Sequence, residues 1–165
     1  MRYEHGLPMD SGVPDDIDPR EIMGCTCLRL RKTTRRVTQV FDRFLDPCGI
    51  TSSQFGLLAN LTWLRASGST ALPIRVLAEG MGLDPTTLSR TLRPLVERRL
   101  LVLIANPADR RVRAVQITDA GRAKLVEALP HWQRAQARLD EALTPEAQLA
   151  LNGLLEVTFA RLPPA

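Results

Sequence analysis

Read by the spacing of its apolar positions, the chain is helical for most of its length and extended in two short stretches. Met23, Cys27, Leu30, Thr34, Val37, Phe41 and Phe44 follow one another at intervals of four and three. This stripe predicts a helix from Asp18-Pro19 to about Leu45, where Asp46-Pro47 and Gly49 stop it. A stripe so long and regular argues for packing against another helix, including one across a subunit boundary. Arg29, Arg31, Lys32, Arg35, Arg36 and Arg43 occupy the other faces and read as solvated. The sharper alternative gives some of them to an anionic ligand or a DNA backbone. Thr51-Ser-Ser-Gln54 is a capping box, with Ile50 and Phe55 as its hydrophobic staple. The helix it opens runs to about Ala66 and is apolar nearly all round, which predicts a central, buried element; residues 67–70 then form an exit loop.

The stretch from Pro73 to Thr118 has a different texture. Pro73 to Glu79 predicts a short helix, Gly80-Met-Gly-Leu83 a tight turn, and Asp84 to Arg93 the start of a second helix. Leu100 to Ala105 and Val112 to Thr118 predict two strands joined by Asn106-Pro-Ala-Asp-Arg-Arg. Helix, turn, helix and β-ribbon in this order describe a winged helix-turn-helix, which lays one helix in a DNA major groove. Asp84 suits the N-cap and Pro85 the first helical position, where its missing N–H costs nothing. Leu83 and Leu88 form a staple, and Leu88, Leu92, Leu95 and Val96 make the buried stripe. Thr86, Thr87, Ser89, Arg90 and Arg93 are left near the outer face or leading end. Short hydroxyls and arginines are the side chains that read base edges and hold phosphates.

After the ribbon, Thr118 caps a helix expected to reach about Leu129 and to kink at Pro130; the pattern resumes through Trp132, Ala135, Leu139 and Leu143. Thr144-Pro145-Glu146 starts a last helix carrying Leu149, Leu151, Leu154, Leu155, Val157 and Phe159, ended by Pro163-Pro164. The terminal helices are too apolar for the small module to cover. A homodimer is therefore expected, whose two recognition helices would meet successive major grooves about 34 Å apart on a pseudo-palindromic operator. The fold class is mainly α with a small two- to three-stranded antiparallel β wing. The expected organisation is an N-terminal arm over residues 1–17 and one domain over 18–165. Within that domain the winged module covers about 51–118, and dimerisation helices cover about 19–46 and 119–162.

Charge sharpens this reading. Residues 84–124 hold nine basic and four acidic side chains, net +5, while the whole chain of 165 residues carries +4. Positive charge is therefore gathered on the module that would meet phosphates. Aromatics make up only 4% of the chain, so the core must rest on Leu, Val, Ile and Ala. No apolar run approaches the roughly 18 residues of a membrane span, and the acidic, proline-broken N-terminus is not expected to be a signal peptide. Three cysteines, an odd number, suggest a reducing cytoplasm. Cys25-x-Cys27 and a distant Cys48 lack paired zinc-ligand spacing, so no metal and no cofactor is expected. No phosphate loop, nucleophile elbow or His-Glu-x-x-His occurs, so no enzyme is expected.

Residues 77–90, Leu-Ala-Glu-Gly-Met-Gly-Leu-Asp-Pro-Thr-Thr-Leu-Ser-Arg, with Asp109-Arg-Arg and Ile117-Thr-Asp-Ala-Gly-Arg, resemble the MarR family of bacterial transcription regulators. The resemblance runs from about residue 20 to 160. It implies a triangular homodimer on double-stranded DNA, with a wing arginine in the minor groove and an aspartate orienting its neighbour. By position, Asp109 and Arg111 would be that pair and Arg110 the tip; with arginine at both positions, which one enters the groove stays open. Arg113 follows on the ribbon. One departure falls at Leu100-Leu101, where the family usually has glycine-leucine.

The resemblance also implies repression released by a small aromatic or phenolic, anionic effector held between the dimer helices and the winged module. Phe44, Phe55, Trp63 and Trp132 are the candidate linings, against the plainer reading that they are core. Cysteine oxidation is the competing signal: Cys27 falls where related organic-hydroperoxide sensors carry their reactive thiol. Against it, Cys27 lies on the apolar stripe, the tyrosines of those sensors are replaced by Arg31, Phe41 and Ser52, and no cysteine follows Cys48. A third class, a winged module that only dimerises or docks protein, predicts no clustering of arginine on the wing.

Overall fold

The computed structural model describes residues 24–66, 71–106, 109 and 111–162. The N-terminal arm, the Asp18-Pro19 start, the exit loop at 67–70 and Arg110 lie outside the described residues. The elements run α1 (Thr26–Leu45), a short 3-10 turn (Asp46–Cys48), α2 (Ser52–Ala66), β1 (Leu72–Pro73), α3 (Ile74–Gly80), α4 (Pro85–Glu97), β2 (Leu101–Ala105), β3 (Arg113–Ile117), α5 (Asp119–Asp140) and α6 (Pro145–Arg161). The chain divides into two units, Met1–Arg36 and Val37–Ala165. In the first, Thr26–Arg36 is helical and its side chains are exposed. The second holds the rest.

The winged helix-turn-helix is present, with a third strand. Order in the sheet is β1-β3-β2, both pairings antiparallel. Leu101 faces Ile117 and Ala105 faces Arg113, while Leu72 and Pro73 face Val115 and Ala114. Pro73 was expected to begin the first helix; it instead ends β1, and α3 starts at Ile74. An edge strand tolerates proline because one of its sides needs no N–H. Leu45, Leu57, Leu58, Leu88, Leu95, Leu101 and Val115 are fully buried and centre the core. Each such side chain contributes about 1.5–3 kcal/mol by leaving water.

The helix starts follow the local code. Thr51 N–H donates to Gln54 Oε1 at 3.0 Å and Gln54 N–H returns to Thr51 Oγ1 at 3.2 Å, the reciprocal box. Thr118 and Thr144 accept from Gly121 and Ala147, capping α5 and α6. Two expectations need correction. Helix α5 does not break near Leu129; it continues through Pro130 to Asp140. Trp63 is 68% exposed rather than central. Two residues past buried Leu61, it is turned roughly 200° around α2, away from the core. Cys27 is exposed in the single chain.

In the turn from α4 to β2, just before Leu100-Leu101, Arg99 is left-handed, with φ 59°.

Candidate nucleic-acid interface

Helix α4 is built to present its leading end. The Asp84 carboxylate accepts from Thr86 N–H and Thr87 N–H, both at 2.9 Å, and from the Thr87 hydroxyl at 2.5 Å. The Thr87 hydroxyl and then the Thr87 amide hold the Asp84 carboxyl below the usual aspartate range, with Thr86 adding to them. Proline at the first helical position and leucines at 88, 92 and 95 then fix which face is turned inward. The opposite face is exposed, and Thr86, Thr87, Ser89, Arg90 and Arg93 all lie on it. Ser89 Oγ donates to Pro85 C=O at 2.7 Å, which leaves its lone pairs outward. Arg93 Nε donates to Glu97 at 2.8 Å, with the arginine side chain 81% exposed. An exposed pair of this kind is weak, so the guanidinium can exchange Glu97 for a phosphate.

The turn before α4 is closed by backbone. Gly82 N–H donates to Glu79 C=O at 3.1 Å and Leu83 N–H to Ala78 C=O at 2.9 Å. Gly82 has φ 62°, a left-handed conformation that glycine adopts without penalty.

The wing is closed by Asn106 N–H donating to Val112 C=O at 2.8 Å. Within it, Asp109 accepts from the backbone N–H of Arg111 at 3.0 Å. The aspartate thus fixes the arginine's main chain. Asp109, Arg111 and Arg113 are all exposed. The recognition and wing residues read from sequence, Arg110 apart, are therefore all at the surface.

The four aromatic candidates are placed differently from one another. Phe55 is buried and stacks on Trp132, ring centres 5.8 Å apart and planes 9° from parallel. Phe44 is half-buried, and its carbonyl is bonded to His131 Nδ1 at 2.9 Å, beside Trp132. Trp63 stands apart from the core on α2. Sequence reasoning missed Arg98, whose Nη1 donates to Gly49 C=O at 2.6 Å and ties the end of α4 to the turn after α1. No motif marks such a contact, which spans 49 positions. Among the described residues no cluster of His, Cys, Asp or Glu could hold a metal ion, and no helix is long and apolar enough to cross a membrane.

Comparison with known proteins bears on this surface. Residues 49–112 match the model of the MarR family. A curated relative, the uncharacterized HTH-type transcriptional regulator YwaE of Bacillus subtilis, is 31% identical over 85 residues, 52% of this chain and only 50% of the relative. The transcriptional regulator MosR of M. tuberculosis, solved in complex with DNA, is 32% identical with a TM-score of 0.68, covering 84% of this chain and 99% of that one. BpsR of Bordetella bronchiseptica, described by the regulation of its DNA binding by 6-hydroxynicotinic acid, is 25% identical with a TM-score of 0.71, over 84% of this chain and 95% of that one. With a full-length relative above 30% identity, a family-model match over the winged module and the fold just described, the chain belongs to the MarR family, whose members are transcription regulators and not enzymes.

Proposed function

We propose that this chain is a double-stranded DNA-binding transcription regulator that works as a homodimer on a pseudo-palindromic operator. The observation that carries the reading is the exposed face of α4, where Thr86, Thr87, Ser89, Arg90 and Arg93 stand together over a fully buried leucine stripe. The wing adds Asp109, Arg111 and Arg113, with Arg110 between them in sequence. Support for the dimer is the last helix. Helix α6 buries no residue in the single chain, and Leu149, Leu154 and Leu162 are 76%, 68% and 66% exposed. Apolar surface of that extent is normally covered by a partner. Domain boundaries follow from the same argument: winged module about 51–118, dimer helices before and after it.

Salt titration of binding tests the reading. Affinity for an operator should fall about a thousandfold or more between roughly 50 and 200 mM salt if six or more phosphates are contacted. Arg90→Ala or Thr87→Ala should reduce discrimination against random DNA by about 1–3 kcal/mol where a base contact is lost. Arg110→Ala should weaken binding through the wing. Unchanged binding in all three variants would place the DNA surface elsewhere.

The finer reading is a repressor released by a small aromatic, anionic ligand. The regulation of BpsR by a hydroxylated aromatic acid supports that chemistry. Phe44, Phe55, Trp63 and Trp132 remain its candidate linings, and calorimetry over a panel of aromatic acids and their thioesters is the test. A second reading is thiol-based peroxide sensing at Cys27, whose thiol is exposed in the single chain. Normal release from DNA by peroxide in Cys27→Ser would remove it.

A further inference from the structure

Helix α6 makes one contact that a dimerisation role does not require. The ring of Phe159 lies on Gly82, in the turn between α3 and α4 of the same chain. A Cβ at position 82 would stand 2.7 Å from Phe159 Cε2, 3.4 Å from Cζ and 3.8 Å from Cδ2. One ring carbon, Cε2, thus stands in the space a Cβ would need, and the other two lie at ordinary contact distance. Phe159 is still 60% exposed, so it is no core residue. Two positions beyond Gly82 is Asp84, the cap from which α4 starts.

We propose that Phe159 is a positioning residue for the recognition helix: its ring braces the Gly82 turn, so that the C-terminal helix sets where α4 begins. The proposal rests on α4 being the DNA-reading helix. Physically, the turn has a backbone at φ 62° closed by two hydrogen bonds, and the atoms nearest the open side of Gly82 belong to the ring. With the ring in place, a shift of α6 moves the turn, and Asp84 carries that shift into Thr86 and Thr87 through the cap. Helix α6 is apolar on every side, so Leu149 and Leu154 can face a partner while Phe159 serves its own chain.

The test is a cycle of wild type, Gly82→Ala, Phe159→Ala and the double variant, each in full-length chain. Backbone strain from alanine at 82 is present in both backgrounds and cancels; the collision with the ring does not. Amide exchange without DNA, affinity for an operator enriched from genomic fragments, and solution mass are measured on all four. The expected results are faster exchange at Leu83 to Leu88 in Phe159→Ala with Leu101 to Ala105 unchanged, and operator affinity lowered more than affinity for random DNA. Gly82→Ala should cost less in the Phe159→Ala background, by about fivefold in affinity. Additive effects in exchange and affinity would overturn the brace, as would an affinity loss that tracks dissociation to monomers. If the wild type binds no DNA, the functional reading fails, and the exchange data alone decide whether Phe159 braces the turn.

Discussion

Helices α3 and α4 end in the same hydrogen-bonded turn with different residues at its left-handed position. In each, one N–H reaches back five residues and the one before it three: Leu83 to Ala78 and Gly82 to Glu79, then Leu100 to Leu95 and Arg99 to Val96. The left-handed φ values are 62° at Gly82 and 59° at Arg99. Glycine takes that conformation freely, whereas an L side chain loses roughly 1–2 kcal/mol in it. The second turn is held by its surroundings. Thr118 Oγ1 donates toward Arg99 C=O at 2.9 Å and Leu100 C=O at 3.0 Å, and Thr118 N–H donates to Leu100 C=O at 3.1 Å. Gly121 lies so close that a Cβ there would stand 2.1 Å from the Leu100 oxygen. The missing methyl is in the turn in one case and in the clamp over the turn in the other. One left-handed residue is local in origin; the other is imposed by the start of α5.

Variants can separate the two. Gly121→Ala should be the most damaging, because the Leu100 backbone oxygen, held by Thr118, cannot move out of the way of the new Cβ; a loss of about 3 kcal/mol or more by urea denaturation at fixed protein concentration is expected. A near-neutral result would mean that the clamp can open. Gly82→Ala should cost about 1–2 kcal/mol from strain alone, plus whatever displaces Phe159. Arg99→Gly should stabilise by about 0.5–1 kcal/mol, since relief of strain exceeds the added freedom of the unfolded chain. Destabilisation by that change would show that the Arg99 side chain, not the clamp, fixes the turn.

The smallest effect concerns the cap on which the first turn opens. The Asp84 carboxyl is held low by the Thr87 hydroxyl and amide, so its contribution to stability is present above the unfolded value of about 3.9 and is lost as pH falls through the folded value. Asp84→Asn keeps a cap acceptor but cannot titrate. The thermal midpoint of wild type should therefore converge on that of the variant between about pH 5 and pH 2. Glu146, also held low at the start of α6, is common to both and cancels. Parallel midpoints across that range would count against the ionised cap.

What was legible in the sequence is what neighbours in the chain settle among themselves. The Thr51–Gln54 box, the Asp84, Thr118 and Thr144 caps and the outward set on α4 each depend on residues within one turn of helix, so a pattern of a few positions suffices. Asp109 and Arg111 rest instead on the family resemblance, by position, and the bond from Arg111 N–H to Asp109 is as local as the caps. Tertiary structure alone decided the rest. Leu72 and Pro73 become a strand only because Val115 and Ala114 lie alongside. Arg99 is left-handed because Thr118 and Gly121 close over it. Trp63 is outside because four other residues of α2 fill the core first. Phe159 meets Gly82 across 77 positions of chain, a distance over which no local propensity acts and only the packing of whole helices can bring two residues together.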